Sequence, residues 1–224
     1  MARAKAKIIY NPIYIEGRKI AKSWWGEAWC KNLELYADYE NRIARGKTYV
    51  RNGSVIHLAI EGGSVTAKVQ GSRSRPYDIK VDIQPISKSD WERIKKICQN
   101  KIGSLAELAE GKFPVEFAEL FTQKNSGLFP SPREIKFSCS CPDWAYMCKH
   151  VAAVLYGIGA RFDDDPLLFF TLRGINVNDL IKKSINDKVD NMLKSAGRKT
   201  ERTLDNVDVC SLFGDDIEVD TKPC

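Results

Sequence analysis

The residues best equipped for chemistry are Cys139, Cys141, Cys148 and His150, inside FSCSCPDWAYMCKHVAAVLYG at 137–157. Their spacing is C-x-C, six residues, then C-x-H. Three thiols and an imidazole within twelve positions make the donor set of a closed, tetrahedral structural zinc site. Zinc needs soft ligands that deprotonate and converge on one point, and two short pairs joined by a spacer allow this. Pro142 and Asp143 open the spacer with a turn signal. Buried free cysteines, a disulfide and a Cys–His nucleophile are the competing readings. The chain has seven cysteines, an odd number, and Cys30, Cys98, Cys210 and Cys224 are scattered without pattern. A nucleophile needs no neighbouring thiols. A structural zinc ion is therefore the expected cofactor. Cys141→Ser is expected to unfold residues 137–160 and to leave the strand-rich front largely intact.

Compartment and membrane follow from the same reading. In MARAKAKIIYNP the apolar run stops after Ile8 and Ile9, so no secretory leader is read. A cytoplasmic location, where thiols stay reduced, is expected. The longest apolar run, VAAVLYGIGA, is too short to span a bilayer, and no membrane partner is expected.

The C-x-C and C-x-H pairs, with an apolar helix straight after the histidine, resemble the SWIM zinc finger over about residues 135–160. The resemblance implies that Cys139, Cys141, Cys148 and His150 bind zinc. KSWWGEAWCKNLE, RIARGKTYVRNGSV and VQGSRSRPY, in this order before the motif, resemble stand-alone prokaryotic SWIM proteins. Such proteins are often encoded beside a Swi/Snf-type helicase. DNA binding or protein interaction is proposed for them, and no catalysis. The resemblance thus implies a helicase-associated accessory role.

The elements that must position the motif read as an α+β protein. A small antiparallel β-sheet with helices precedes a helical module that carries the CxCx6CxH finger. Residues 22–37 form a helix with Trp25, Trp29, Leu33 and Tyr36 on one face, and Trp24 off it. Residues 48–83 read as strands, with turns at Asn52-Gly53 and Gly62-Gly63. His57 lies in one of these strands and reads as structural. Residues 87–123 read as short helices, capped by Ser87 or Ser89 and carrying Phe113, Phe117, Leu120 and Phe121. The expected division is a basic α+β domain at 1–124, a linker at 125–132, the finger and helical module at 133–195, and an acidic disordered tail at 196–224. Within the third part, Val151–Phe162 and the LLFF segment are more hydrophobic than so small a module needs. Core packing is expected to use most of that surface, and a docking site the remainder. A last helix carries Leu180, Ile181, Ile185, Val189 and Met192.

Charge supplies the functional reading. The net charge of +6 hides an asymmetry: residues 1–80 carry fifteen bases and seven acids, and residues 205–220 carry six acids and no base. A basic front favours a polyanion. Arg45, Lys47, Arg51, Arg73 and Arg75, with Lys149 beside the metal, are the candidate nucleic-acid contacts, read as loops in which Gly and Ser let phosphates approach. DNA is the expected polymer; a protein adaptor without nucleic-acid contact is the alternative. Gly46-Lys47-Thr48 imitates the end of a phosphate-binding loop, but Asn41 stands where the upstream glycine belongs. No catalytic motif is present, so an enzyme is not expected.

Overall fold

The computed structural model describes residues 10–34, 40–98, 105–113, 122–123, 127–178, 182, 186, 189–190 and 192–194. Residues 1–186 and 187–224 form separate units. In the second, residues 189–190 and 192–194 are described and are helical. The expected acidic tail at 196–224 lies outside the described residues, as do Tyr36, Phe117, Leu120, Phe121, Leu180, Ile181 and Ile185. Among the described residues, no helix is long and apolar enough to cross a membrane.

Four antiparallel strands form one sheet in the order β1 (Val55–Glu61), β2 (Ser64–Val69), β3 (Tyr77–Ile83) and β4 (Ile135–Cys139). In β3, strict alternation sends Tyr77, Ile79, Val81 and Ile83 inward. β2 adds Val65, Ala67 and Val69 to the same face. In β1 the register shifts between Val55 and His57. The extra residue changes the phase, so Val55 and Leu58 are both buried although three positions apart. Gly62 and Gly63 both take positive φ, 48° and 85°, and close the β1–β2 hairpin as expected.

The other expected turn has a different role. Thr48–Arg51 is no strand; it is the last turn of α2 (Glu40–Arg51), and Gly53, at φ 68°, ends that helix. Asn-Gly serves as a hairpin turn or as a helix stop, and the residues before it decide which. Here ENRIARGK is helical and carries the chain to Arg51 as helix. Arg45 and Lys47 therefore sit on a helix, not in a loop.

The element that organises the unit is α5 (Lys149–Asp164), the helix that follows the cysteine motif. Eleven of its residues are buried, from His150 to Phe162. A helix that is apolar on every side belongs in the middle of a core. α5 packs on all four strands and on α1 (Trp24–Glu34) and α2. α1 meets α5 at a pair of glycines: a Cβ on Gly26 would lie 2.9 Å from the Gly159 carbonyl oxygen. Trp29 donates its indole N–H to the Leu155 carbonyl at 2.9 Å, and Trp25 donates to the Phe162 carbonyl at 2.9 Å. Ser23 caps α1, and Asp163 accepts from the Ser23 backbone at 3.1 Å. α3 (Lys88–Cys98), capped by Ser87, and α4 (Leu105–Ala109) lie between β3 and β4 in the chain.

The apolar excess of the finger is thus core. Val151, Val154, Leu155, Ile158 and Phe162 are buried against the sheet and α1–α2, and Phe169, Phe170 and Leu172 of α6 (Leu168–Leu172) are buried too. These residues offer no docking surface. The expected boundary at 125–132 falls inside the first unit. Leu128 and Phe129 are buried there, Phe129 packs on Trp29 and Phe169, and β4 then completes the sheet begun by β1–β3.

Arg173, after α6, locks this junction. It is 2% exposed and donates to the Gln84 carbonyl at 2.7 Å and to Glu134 at 2.8 Å. Burial alone pushes the Glu134 carboxyl up. Hydrogen bonds from the Ser131 backbone and Arg173, with the Arg173 charge, outweigh this and hold it below the usual range. A carboxyl lowered on folding contributes stability above its unfolded value near 4.5, and the contribution disappears as pH falls through the folded value. Glu134→Gln is expected to cost about 2–3 kcal/mol at neutral pH, because it leaves a buried guanidinium uncompensated. Denaturant melts check this, and the gap from wild type should narrow in acid.

Candidate metal centre

Two strands, a knuckle and a helix start bring the four donors together. Cys139 ends β4. Ser140 donates its backbone N–H to the Asp78 carbonyl at 3.0 Å and accepts from the Asp78 N–H at 2.9 Å, which pins the knuckle to β3. Cys148 caps α5 and accepts from the Val151 N–H at 3.5 Å. His150 follows in the first turn, its Nδ1 at 3.8 Å from the Cys148 sulfur. The donor atoms of Cys139, Cys141, Cys148 and His150 all lie within 4.8 Å of one another. The spacer is tied down as well. Asp143 pairs with Arg42 of α2 and accepts from the Ala145 N–H at 3.2 Å, and Tyr146 donates its hydroxyl to the Ile135 carbonyl at 3.0 Å.

The imidazole is held between two tyrosines, with ring centroids at 4.5 Å for Tyr77 and 5.4 Å for Tyr49. A Cβ on Gly71 would stand 3.2 Å from His150 Nε2 and 2.5 Å from the Tyr77 ring, so only glycine fits there. His150 is 4% exposed, and its Nε2 is buried without a hydrogen-bond partner. A hydrogen bond with Cys139 and another with His150 lower the Cys148 thiol to about 4, against the effect of burial. The same bond with Cys148, and burial, raise Cys139; burial raises Cys141. A cation at this point would favour the thiolate form of all three cysteines.

The donor set fits zinc. Zn–S near 2.3 Å and Zn–N near 2.0 Å at tetrahedral angles separate ligand atoms by about 3.5–3.8 Å. The present spread reaches that value with shifts of about 1 Å. Residues 129–157 match the SWIM zinc finger family.

The SWIM segment is a small part of a wider similarity. An uncharacterized protein of Mycobacterium tuberculosis is 39% identical over 163 residues, 72% of this chain and 58% of the relative. The chain therefore spans less than two thirds of that relative's length. The similar region is far longer than the SWIM segment and takes in part of the scaffold around it. No solved structure matches the chain.

The basic candidates divide into two groups around the SWIM segment. Lys149 lies 5.0 Å from the centroid of Tyr49, and Arg73 lies 5.9 Å from that of Tyr77. Each cation thus lies over one of the two tyrosines that pack on His150. Arg45 and Arg75 are exposed, and among the described residues none of these four is paired with a carboxylate. Lys47 and Arg51 are engaged elsewhere. Lys47 pairs with Glu34 at 2.6 Å above Tyr156, and Arg51 donates to the Arg18 carbonyl at 3.0 Å. His57 accepts from the Asn11 N–H at 3.1 Å, a structural role.

Several site residues escaped the sequence reading. Tyr49, Tyr77 and Gly71 build the imidazole's pocket from distant segments, and Arg42 holds the spacer. Trp144 is the most exposed large hydrophobic side chain among the described residues, at 92%. Its signal was an aromatic placed in a polar spacer between ligand pairs. Trp24, off the apolar face of its helix in the sequence reading, is 38% exposed and packs on Trp25 and Phe113.

Proposed function

We propose that this chain is a non-catalytic, zinc-dependent nucleic-acid-binding protein. The observation that carries the reading is the pair of cations over Tyr49 and Tyr77, the two rings packed on His150. Lys149 and Arg73, with exposed Arg75 and Arg45, place uncompensated positive charge beside a metal-fixed framework. Bound zinc supplies a structural cross-link with no open coordination position. The protein's residues supply the rest: Tyr49 and Tyr77 orient the imidazole, Arg42 holds the spacer, and the cations meet phosphates. DNA is the polymer proposed, in the cytoplasm. The family resemblance supports a further step, in which the protein acts as an accessory to a Swi/Snf-type helicase. Mixing the two and measuring ATP turnover with and without DNA tests that step.

Phosphate contacts release counterions, so affinity should fall with salt at a log–log slope of about −0.9 per contact on duplex DNA. Arg73→Ala with Arg75→Ala is expected to flatten the slope by about two units. Lys47→Ala is expected to leave the slope unchanged, because Glu34 already neutralises that charge. A double variant that binds like wild type at every salt concentration would reduce the 71–76 loop to a solvated turn.

A further inference from the structure

We propose that Trp144 is a stacking platform for a base of single-stranded nucleic acid, an inference that rests on the nucleic-acid reading above. The spacer that carries it is anchored throughout. Cys141 and Cys148 bound it, Asp143 is held by Arg42, and Tyr146 is held by the Ile135 carbonyl. An anchored loop cannot fold its indole back into the core, so the ring stays 92% exposed. Two positions on, Tyr146 is 54% exposed and lies 5.1 Å from Phe137, a second aromatic surface on the same segment.

The charge beside these rings selects the ligand. The one acid in the spacer, Asp143, is neutralised by Arg42. Lys149 follows Cys148 at the end of the spacer. Aromatic faces among cations are the pattern by which proteins hold single strands: bases stack on the rings and phosphates meet the charge. A duplex hides its base faces, and unstacking them costs a few kcal/mol. The platform therefore favours single strands, while Arg73 and Arg75 act on either form.

The test compares wild type, Trp144→Ala, Trp144→Leu and Trp144→Phe, by fluorescence anisotropy at low salt. The probes are a labelled oligothymidylate and a duplex of equal length. Base–aromatic stacking contributes about 1–3 kcal/mol, so Ala is expected to weaken oligothymidylate binding about tenfold. Duplex affinity should stay within about twofold, and the salt slope should not change, since no phosphate contact is removed. Phe should keep most of the affinity, and Leu should behave like Ala. Circular dichroism and zinc content should match wild type in all three. The proposal is overturned if Ala binds oligothymidylate like wild type, if Leu restores binding, or if both probes weaken alike. In those cases a flattened slope in the Arg73/Arg75 variant leaves the broader reading standing. If wild type binds neither probe, both readings fall.

Discussion

Cys148→Ser is expected to lower the stability of the whole first unit, in one transition, by about 5 kcal/mol or more. Sequence alone places the damage in residues 137–160. The structure spreads it further, because the ligands are built into the central elements. Cys139 ends the fourth strand of the sheet, and Cys148 and His150 begin α5, which touches every strand and both leading helices. A knuckle that opens cannot leave α5 in place without stranding buried thiols and an imidazole beside Tyr49 and Tyr77. Serine offers a hydroxyl oxygen in place of the sulfur that accepts from the Val151 N–H, so the loss reports on the metal and not on the helix cap. For a unit of this size each kcal/mol moves the midpoint about 2–4 °C, giving a drop of about 10–20 °C. A chelator should bring wild type to the variant's midpoint and leave the variant unmoved. Two separate transitions, or a chelator without effect on wild type, would contradict this account.

What was legible in the sequence was local. The C-x-C and C-x-H spacing marks the ligands because metal binding at short separation is a property of one segment. β3 was legible because alternation in YDIKVDI answers to a single buried face. Arrangements that depend on distant partners left weaker marks. Asn52-Gly53 read as a hairpin because the residues before it are β-branched and aromatic, yet α2 packs on α5 and tertiary contact decided the matter. Residues 125–132 read as a linker by composition, although Leu128 and Phe129 fill core positions. The basic loops showed charge but not its use: Lys47 and Arg51 are engaged by Glu34 and a carbonyl, which only the fold reveals. Gly71 carried no periodic signal at all, since what it avoids is the Tyr77 ring together with an imidazole 79 residues away in sequence.

Gly46→Ala is expected to destabilise the protein by about 2 kcal/mol, against the sign that helix propensity gives. In an exposed helix the exchange stabilises by about 1 kcal/mol. Here α2 crosses α5 at this residue. A Cβ would stand 2.5 Å from the Ala152 Cβ, and 2.9 Å from the Ala152 carbonyl carbon and the Ala153 nitrogen. Two of those atoms are backbone of a helix buried on every side, so they cannot step aside. The helices must separate, and overpacking of this kind costs about 1–3 kcal/mol. Ala152→Gly in the same chain should recover part of the loss, because it removes the nearest atom but leaves the backbone contacts. The shift also reaches the metal centre, since Tyr49 lies one turn along α2 from Gly46 and packs on His150. Gly46→Ala should therefore release zinc to a chelator faster than wild type does. A variant as stable as wild type, or more so, would mean that the two helices yield freely at this crossing. The glycine in Arg45-Gly46-Lys47 would then owe nothing to packing, whereas close helix contact accounts for it without any phosphate.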